Sequence, residues 1–163
     1  MATHSQRRNL RCRRRDAGGF TLTELMIILV ILGLLITLAV PAYTGYVERS
    51  QVQKAIADIG AIAMRIERFR LHNNDQLPNA LSDLGPDIPL DPWGQEYRYL
   101  NIWNETGKGK VRKDGALNPI NANFDLYSIG RDGESKLPLP PPQSHDDIIW
   151  ANDGTYVGLA KDY

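Results

Sequence analysis

Gly18-Gly19-Phe20-Thr21-Leu22-Thr23-Glu24 leads directly into Leu25-Met-Ile-Ile-Leu-Val-Ile-Leu-Gly-Leu-Leu-Ile-Thr-Leu-Ala-Val40, and no charge follows until Val47 has passed. The run is apolar on every side of a helix. At 1.5 Å per residue, Leu25 to Val47 spans roughly 35 Å, enough to cross a hydrocarbon core. On hydropathy alone this is a secretory signal or a plain membrane anchor, and the arginines ahead of it place the N-terminus in the cytoplasm and export the rest. Two residues fit neither plain reading. Glu24 sits at the mouth of the apolar run, where a carboxylate costs about 2.5–3.5 kcal/mol on insertion scales and is usually retained for a function. Pro41 interrupts the run near its end and predicts a kink or local unwinding, with Gly33 and Gly45 adding give nearby.

Downstream the helical pattern continues but becomes one-sided. Val52, Ile56, Ile59, Ala63 and Ile66 recur at alternating spacings of four and three, the stripe of an amphipathic helix. Asn73 and Asn74 suit a C-terminal cap, so a single helix is expected from about Thr21 to His72. Beyond Pro78 the pattern changes to short alternating runs between prolines and glycines. Glu96 to Trp103 reads as a strand and Phe124 to Ile129 as its antiparallel partner, with a further strand at Thr155 to Leu159. Asn104 to Asn123 reads as a polar connecting loop. Gly130 to Asp147 reads as a second loop, part of it stiffened by Leu137-Pro-Leu-Pro-Pro-Pro142. Asp91-Pro92-Trp93-Gly94 is a turn whose indole is expected to pack on the helix.

The chain has 163 residues, 42% apolar and 23% charged, with 19 basic and 19 acidic side chains. That balance is uneven along the chain. Residues 1–19 carry six arginines and one acid, leaving 13 basic against 18 acidic residues in the body. No basic patch beyond the head is dense enough to neutralise a run of phosphates, so nucleic acid is not an expected partner. The single cysteine, Cys12, lies in the head, which leaves the body without a disulfide or thiolate metal site. Serines lack a nearby histidine at any familiar spacing, and no phosphate-binding glycine motif is present. A non-enzyme is expected.

The arginine-rich head, the glycine immediately before Phe20, the glutamate five residues into the chain that starts there, and Pro41 at its position 22 closely resemble the prepilin motif of type IV pilins and type II secretion pseudopilins. The resemblance implies that a membrane peptidase cuts between Gly19 and Phe20 and methylates the new amine. It divides the chain into a cleaved leader (1–19), a transmembrane and filament-core helix (20–47) and a periplasmic globular domain (48–163). It also implies an α+β fold in which one long N-terminal helix packs against a small antiparallel sheet. Glu24, beside the new amine, is expected to neutralise it between subunits in a dry filament, and Pro41 to mark a stretch that loses helix on assembly.

A second set of residues narrows the resemblance. Asp91-Pro-Trp-Gly94, then Asp125-Leu-Tyr-Ser-Ile-Gly-Arg-Asp132-Gly133, then Asp146-Asp147-Ile148 look like the major pseudopilin of type II secretion. That implies a structural subunit of a homo-oligomeric helical filament, a single-pass protein of the inner membrane. Its partners would be minor pseudopilins, the prepilin peptidase and an inner-membrane assembly platform. A type IV pilin for adhesion or motility is the alternative. The resemblance further implies a Ca²⁺ held by the loop after the second strand, through the carboxylates of Asp132, Asp146 and Asp147 and backbone carbonyls near Ile129 and Glu134. Hard oxygen donors of this kind suit calcium, and an ion would staple a long cysteine-free loop. The proline run and the residues after Trp150 exceed the family's usual pattern.

Overall fold

A computed structural model describes residues 19–103, 109–115 and 118–163. The arginine-rich head, Gly18 and parts of the Asn104–Asn123 loop lie outside them. The chain divides into two compact units, Met1–Ala42 and Tyr43–Tyr163.

Helix α1 (Leu22–His72) takes in Pro41. In the first unit nothing covers the described part of the helix. Every large apolar side chain from Leu22 to Val40 is exposed, none below 41%. A helix this apolar and this bare is long enough to cross a membrane.

In the second unit α1 has the one-sided character expected of it, rotated slightly from the stripe read in the sequence. Ala55, Ile59, Ile62, Ala63 and Ile66 are buried, while Val52 and Ile56 are half-buried flank residues. The line 55, 59, 62, 66 keeps the four-and-three spacing but runs one position away from the start of the stripe, where the small Ala55 allows close approach. The helix stops at His72 because Asn74 and Asp75 both take positive φ, at 53° and 66°. Asn and Asp tolerate that conformation better than other residues with a Cβ. The Asn73 side chain donates to the Phe69 carbonyl at 2.8 Å, which satisfies one of the orphan acceptors of the last turn.

Four short strands follow: β1 (Arg98–Asn101), β2 (Phe124–Ser128), β3 (Ile148–Ala151) and β4 (Tyr156–Leu159). They form one antiparallel sheet in the order β1-β2-β3-β4, each strand pairing with its neighbour in sequence. The expected pairing of Glu96–Trp103 with Phe124–Ile129 is present, with Leu100 opposite Asp125. Strand β4 falls within the run Thr155–Leu159. Strand β3 was not anticipated. Tyr97, Phe124, Leu126 and Ile148 form the core with the buried helix face, and Phe124 stacks on Trp150 and lies tilted against Tyr99. Ile120, Leu139, Ile149, Ala151 and Ala160 make a second cluster, so the segment read as a polar loop before Asn123 contributes to the interior.

The Asp91–Gly94 turn is built around one carboxylate. Asp91 Oδ1 accepts the amides of Trp93 and Gln95 at 3.1 and 2.7 Å, and Oδ2 accepts the Ser128 hydroxyl at 2.6 Å. Gly94 has φ 87°, which a side chain would strain. Trp93 packs half-buried against the core, the structural role expected of it.

Candidate functional site

Two places carry the residues singled out in the sequence, and they are of different kinds. The first is the start of α1. Gly19 and Phe20 are exposed and precede the helix. The Thr21 amide donates to Glu24 Oε2 at 2.9 Å, the Thr21 hydroxyl donates to the same oxygen at 2.9 Å, and the Glu24 amide donates back to Thr21 Oγ1 at 3.2 Å. This is a reciprocal capping box, Thr-x-x-Glu, in which two orphan amides of the first turn are satisfied at once. The sequence showed Glu24 but not this bond pattern, although Thr21 three residues ahead of it was the available signal. Glu24 therefore has a structural task within the single chain, and it is exposed at the helix start.

The second place is the segment after β2. Ile129 is buried, Asp132 and Glu134 are exposed, Asp146 is half-buried and Asp147 is fully buried. Asp146 Oδ2 accepts the amides of Arg131 and Asp132 at 2.8 and 3.0 Å, and Asp132 Oδ1 accepts the Glu134 amide at 2.8 Å. These bonds fold the backbone round Gly130, whose φ is 69°. A Cβ there would sit 2.5 Å from the Asp146 carboxylate. Gly130→Ala should consequently lower stability by about 1–3 kcal/mol, from αL strain and displacement of Asp146, as read by denaturant unfolding.

Asp147 faces elsewhere. Its Oδ2 accepts Arg112 Nη2 at 2.6 Å and the Ser135 hydroxyl at 2.6 Å, while Arg112 Nη1 donates to Ser135 Oγ at 2.7 Å. The pair is buried on both sides, 1% and 0% exposed. Burial pushes the Asp147 carboxyl up to about 6, opposed by Arg112 and Ser135. Arg112 was not among the residues singled out in the sequence. It is a lone arginine in a lysine-bearing loop, with its partner 35 residues away, and nothing local marks it.

The three carboxylates expected to share Ca²⁺ are thus engaged separately. Among the described residues no group of three or more Asp, Glu, His or Cys side chains is placed to hold a metal ion. Asp132 and Asp146 cap backbone amides, and a guanidinium faces Asp147.

With the bare helix and its capped start in view, comparison with known proteins is specific. Residues 14–40 match the prokaryotic N-terminal methylation motif. The chain is 33% identical over 141 residues to the type II secretion system core protein G of Pseudomonas aeruginosa, an alignment that covers 74% of this chain and 88% of that protein. It is 32% identical to the core protein G of Aeromonas hydrophila, covering 75% and 88%, and 30% identical to that of Escherichia coli K12, covering 71% and 83%. The chain belongs to the type II secretion system core protein G family. The α+β architecture, one long N-terminal helix and a four-stranded antiparallel sheet, is that expected of a pilin-like member. A single N-terminal apolar helix in a core protein G fits a single-pass protein of the inner membrane.

Proposed function

We propose that the chain is a structural subunit of the pseudopilus that drives export through a type II secretion system. It would assemble by helix packing after prepilin peptidase cuts between Gly19 and Phe20. The observation that carries this reading is the uncovered helix from Leu22 to Val40. Fifteen large apolar side chains between Phe20 and Val40 are exposed. At about 1.5–3 kcal/mol for each one buried, leaving them in water costs tens of kcal/mol, well above the total stability of a domain. The segment therefore belongs in lipid, or, once withdrawn from lipid, against the same segment of other subunits. Such a contact is heterologous and does not close, which yields a helical filament.

The remaining parts of the reading follow from charge. Six arginines ahead of the helix hold the N-terminus on the cytoplasmic side, and the acidic body lies in the periplasm. Minor pseudopilins, the prepilin peptidase and an inner-membrane assembly platform are the partners such a subunit needs. The role is mechanical and asks for no catalytic group. Deleting the gene should trap normally secreted proteins in the periplasm while leaving surface pili and twitching unchanged, scored by comparing periplasmic and culture-medium fractions. Normal secretion with loss of surface filaments would instead make the chain a type IV pilin.

A further inference from the structure

Outside the helix start, the side chain of Arg112 forms a buried ion pair across distant parts of the chain. It is 1% exposed, and its contacts come from three separate places in the chain, β2, Ser135 and Asp147. Nη2 meets Asp147, Nη1 meets Ser135, its amide donates to Asp125 Oδ2 at 2.7 Å, and the guanidinium lies 4.1 Å from the centre of the Tyr127 ring. A buried guanidinium held this way has lost its hydration and is compensated by one carboxylate, one hydroxyl and one aromatic face. It spans 35 residues to Asp147 and 23 to Ser135. It thereby joins the segment before β2 to the interior and to the far end of the acidic loop that follows.

Among the described residues two buried atoms nearby have no hydrogen-bond partner, Arg112 Nε and Asp147 Oδ1. Both belong to the same bridge. Nε and Nη2 form one side of the guanidinium fork, and Oδ1 and Oδ2 form the carboxylate. A small turn of either plane makes the contact bidentate and satisfies both atoms. The free carboxylate oxygen thus needs no metal to explain it. A divalent cation placed beside it would face the fixed positive charge of Arg112, and one oxygen of each of Asp132 and Asp146 already accepts backbone amides. Calcium requires six to eight oxygen ligands, and this arrangement supplies them poorly.

We propose that Arg112 is the resident cation of the acidic loop in this chain. It neutralises Asp147 and staples residues 129–147 to the sheet, so that the globular domain holds its structure without Ca²⁺. An arginine differs from a bound ion in being covalently part of the chain, always charged, and indifferent to a chelator. The proposal concerns how the domain is held together and stands apart from the reading of the filament.

The test is thermal melting of the mature full-length protein in detergent micelles, followed by tryptophan fluorescence with millimolar CaCl₂ or with EGTA. The wild-type protein should melt at the same temperature in both. Arg112→Ala should melt on the order of 10 °C lower in EGTA, because a buried carboxylate is left uncompensated, and should recover part of that loss in CaCl₂ as Asp147 becomes free to bind the ion. Arg112→Lys keeps the charge but not the fork, and should fall between the two with no response to calcium. If Arg112→Ala does not fold, the lysine variant carries the comparison. A wild-type melt that rises with calcium and falls with EGTA overturns the proposal and returns the loop to an ion. An arginine variant that melts as the wild type does overturns it equally.

Discussion

Gly19→Val should leave the precursor uncut, with the mature form absent from membranes and residues 1–19 still present on intact-mass analysis. The expectation rests on the place of Gly19 between an arginine-rich head and Phe20. A peptidase that reads this junction must bring its catalytic groups against the backbone on both sides of the bond, and a branched side chain at the residue before it blocks that approach. The local structure makes the experiment clean. Gly19 is exposed, and a Cβ built there meets nothing within 4 Å. The first carbon of an added side chain meets no part of the described structure, so a loss of cutting is expected to report on recognition. Gly19→Ala, with one added carbon, should be cut slowly but correctly. In the wild type the mature chain should begin at an N-methylated Phe20. A mature chain beginning near Tyr43, after Val40-Pro41-Ala42, would mean that a conventional signal peptidase had acted, and would remove the basis of the filament reading.

The second large effect is expected at Glu24, and the capping box determines which variant is informative. Glu24→Ala removes both the carboxylate and one half of the box, so it frays the first turn by about 0.5–2 kcal/mol as well as removing a charge. Glu24→Gln keeps an oxygen that accepts the Thr21 amide and removes the charge alone. If Glu24 serves to neutralise the amine of a processed Phe20 in a dry subunit interface, the glutamine variant should be inserted and processed normally. Its filament yield should nevertheless fall by roughly tenfold or more, because an uncompensated buried cation is left in each contact. Sheared-filament yield against total membrane-bound subunit measures this directly. Wild-type yield from Glu24→Gln with poor yield from Glu24→Ala would reduce Glu24 to a helix cap.

The helix was readable because its two halves differ so sharply in composition. An all-round apolar run and a one-sided stripe are the strongest signals that a sequence carries about helices. Strands β1, β2 and β4 were readable from alternation or from turn residues on either side. Strand β3 was missed for a physical reason. Ile148, Ile149 and Ala151 are all fully buried, so the central strand lacks the polar alternation of an edge and reads as the tail of a loop. At the candidate sites, the motif around the Gly19–Phe20 bond was legible because it is written in contiguous sequence. Arg112 could not. Its importance depends on an ion pair closed over 35 residues and on a ring contributed by β2, and single-chain patterns hold no record of such pairings. The acidic residues of the loop, in contrast, were conspicuous by their number, while their partners, backbone amides for Asp132 and Asp146 and a guanidinium for Asp147, were not.

The bond pattern at the helix start also bears on the timing of maturation. Thr21 and Glu24 both lie on the mature side of the Gly19–Phe20 bond, and they close the first turn using only each other. Scission at that bond would therefore alter what the end of the helix carries while leaving how the helix begins unchanged. A neutral amide becomes a cation one residue ahead of the cap, close to the positive end of the helix dipole, where it is least welcome unless a carboxylate is at hand. No turn has to be rebuilt and no amide has to find a new acceptor. Precursor and mature subunit would then share the same capped first turn and differ in the leader, with its six arginines, and in the charge at Phe20, so a membrane could hold a reserve of precursors, each brought into use by a single hydrolysis.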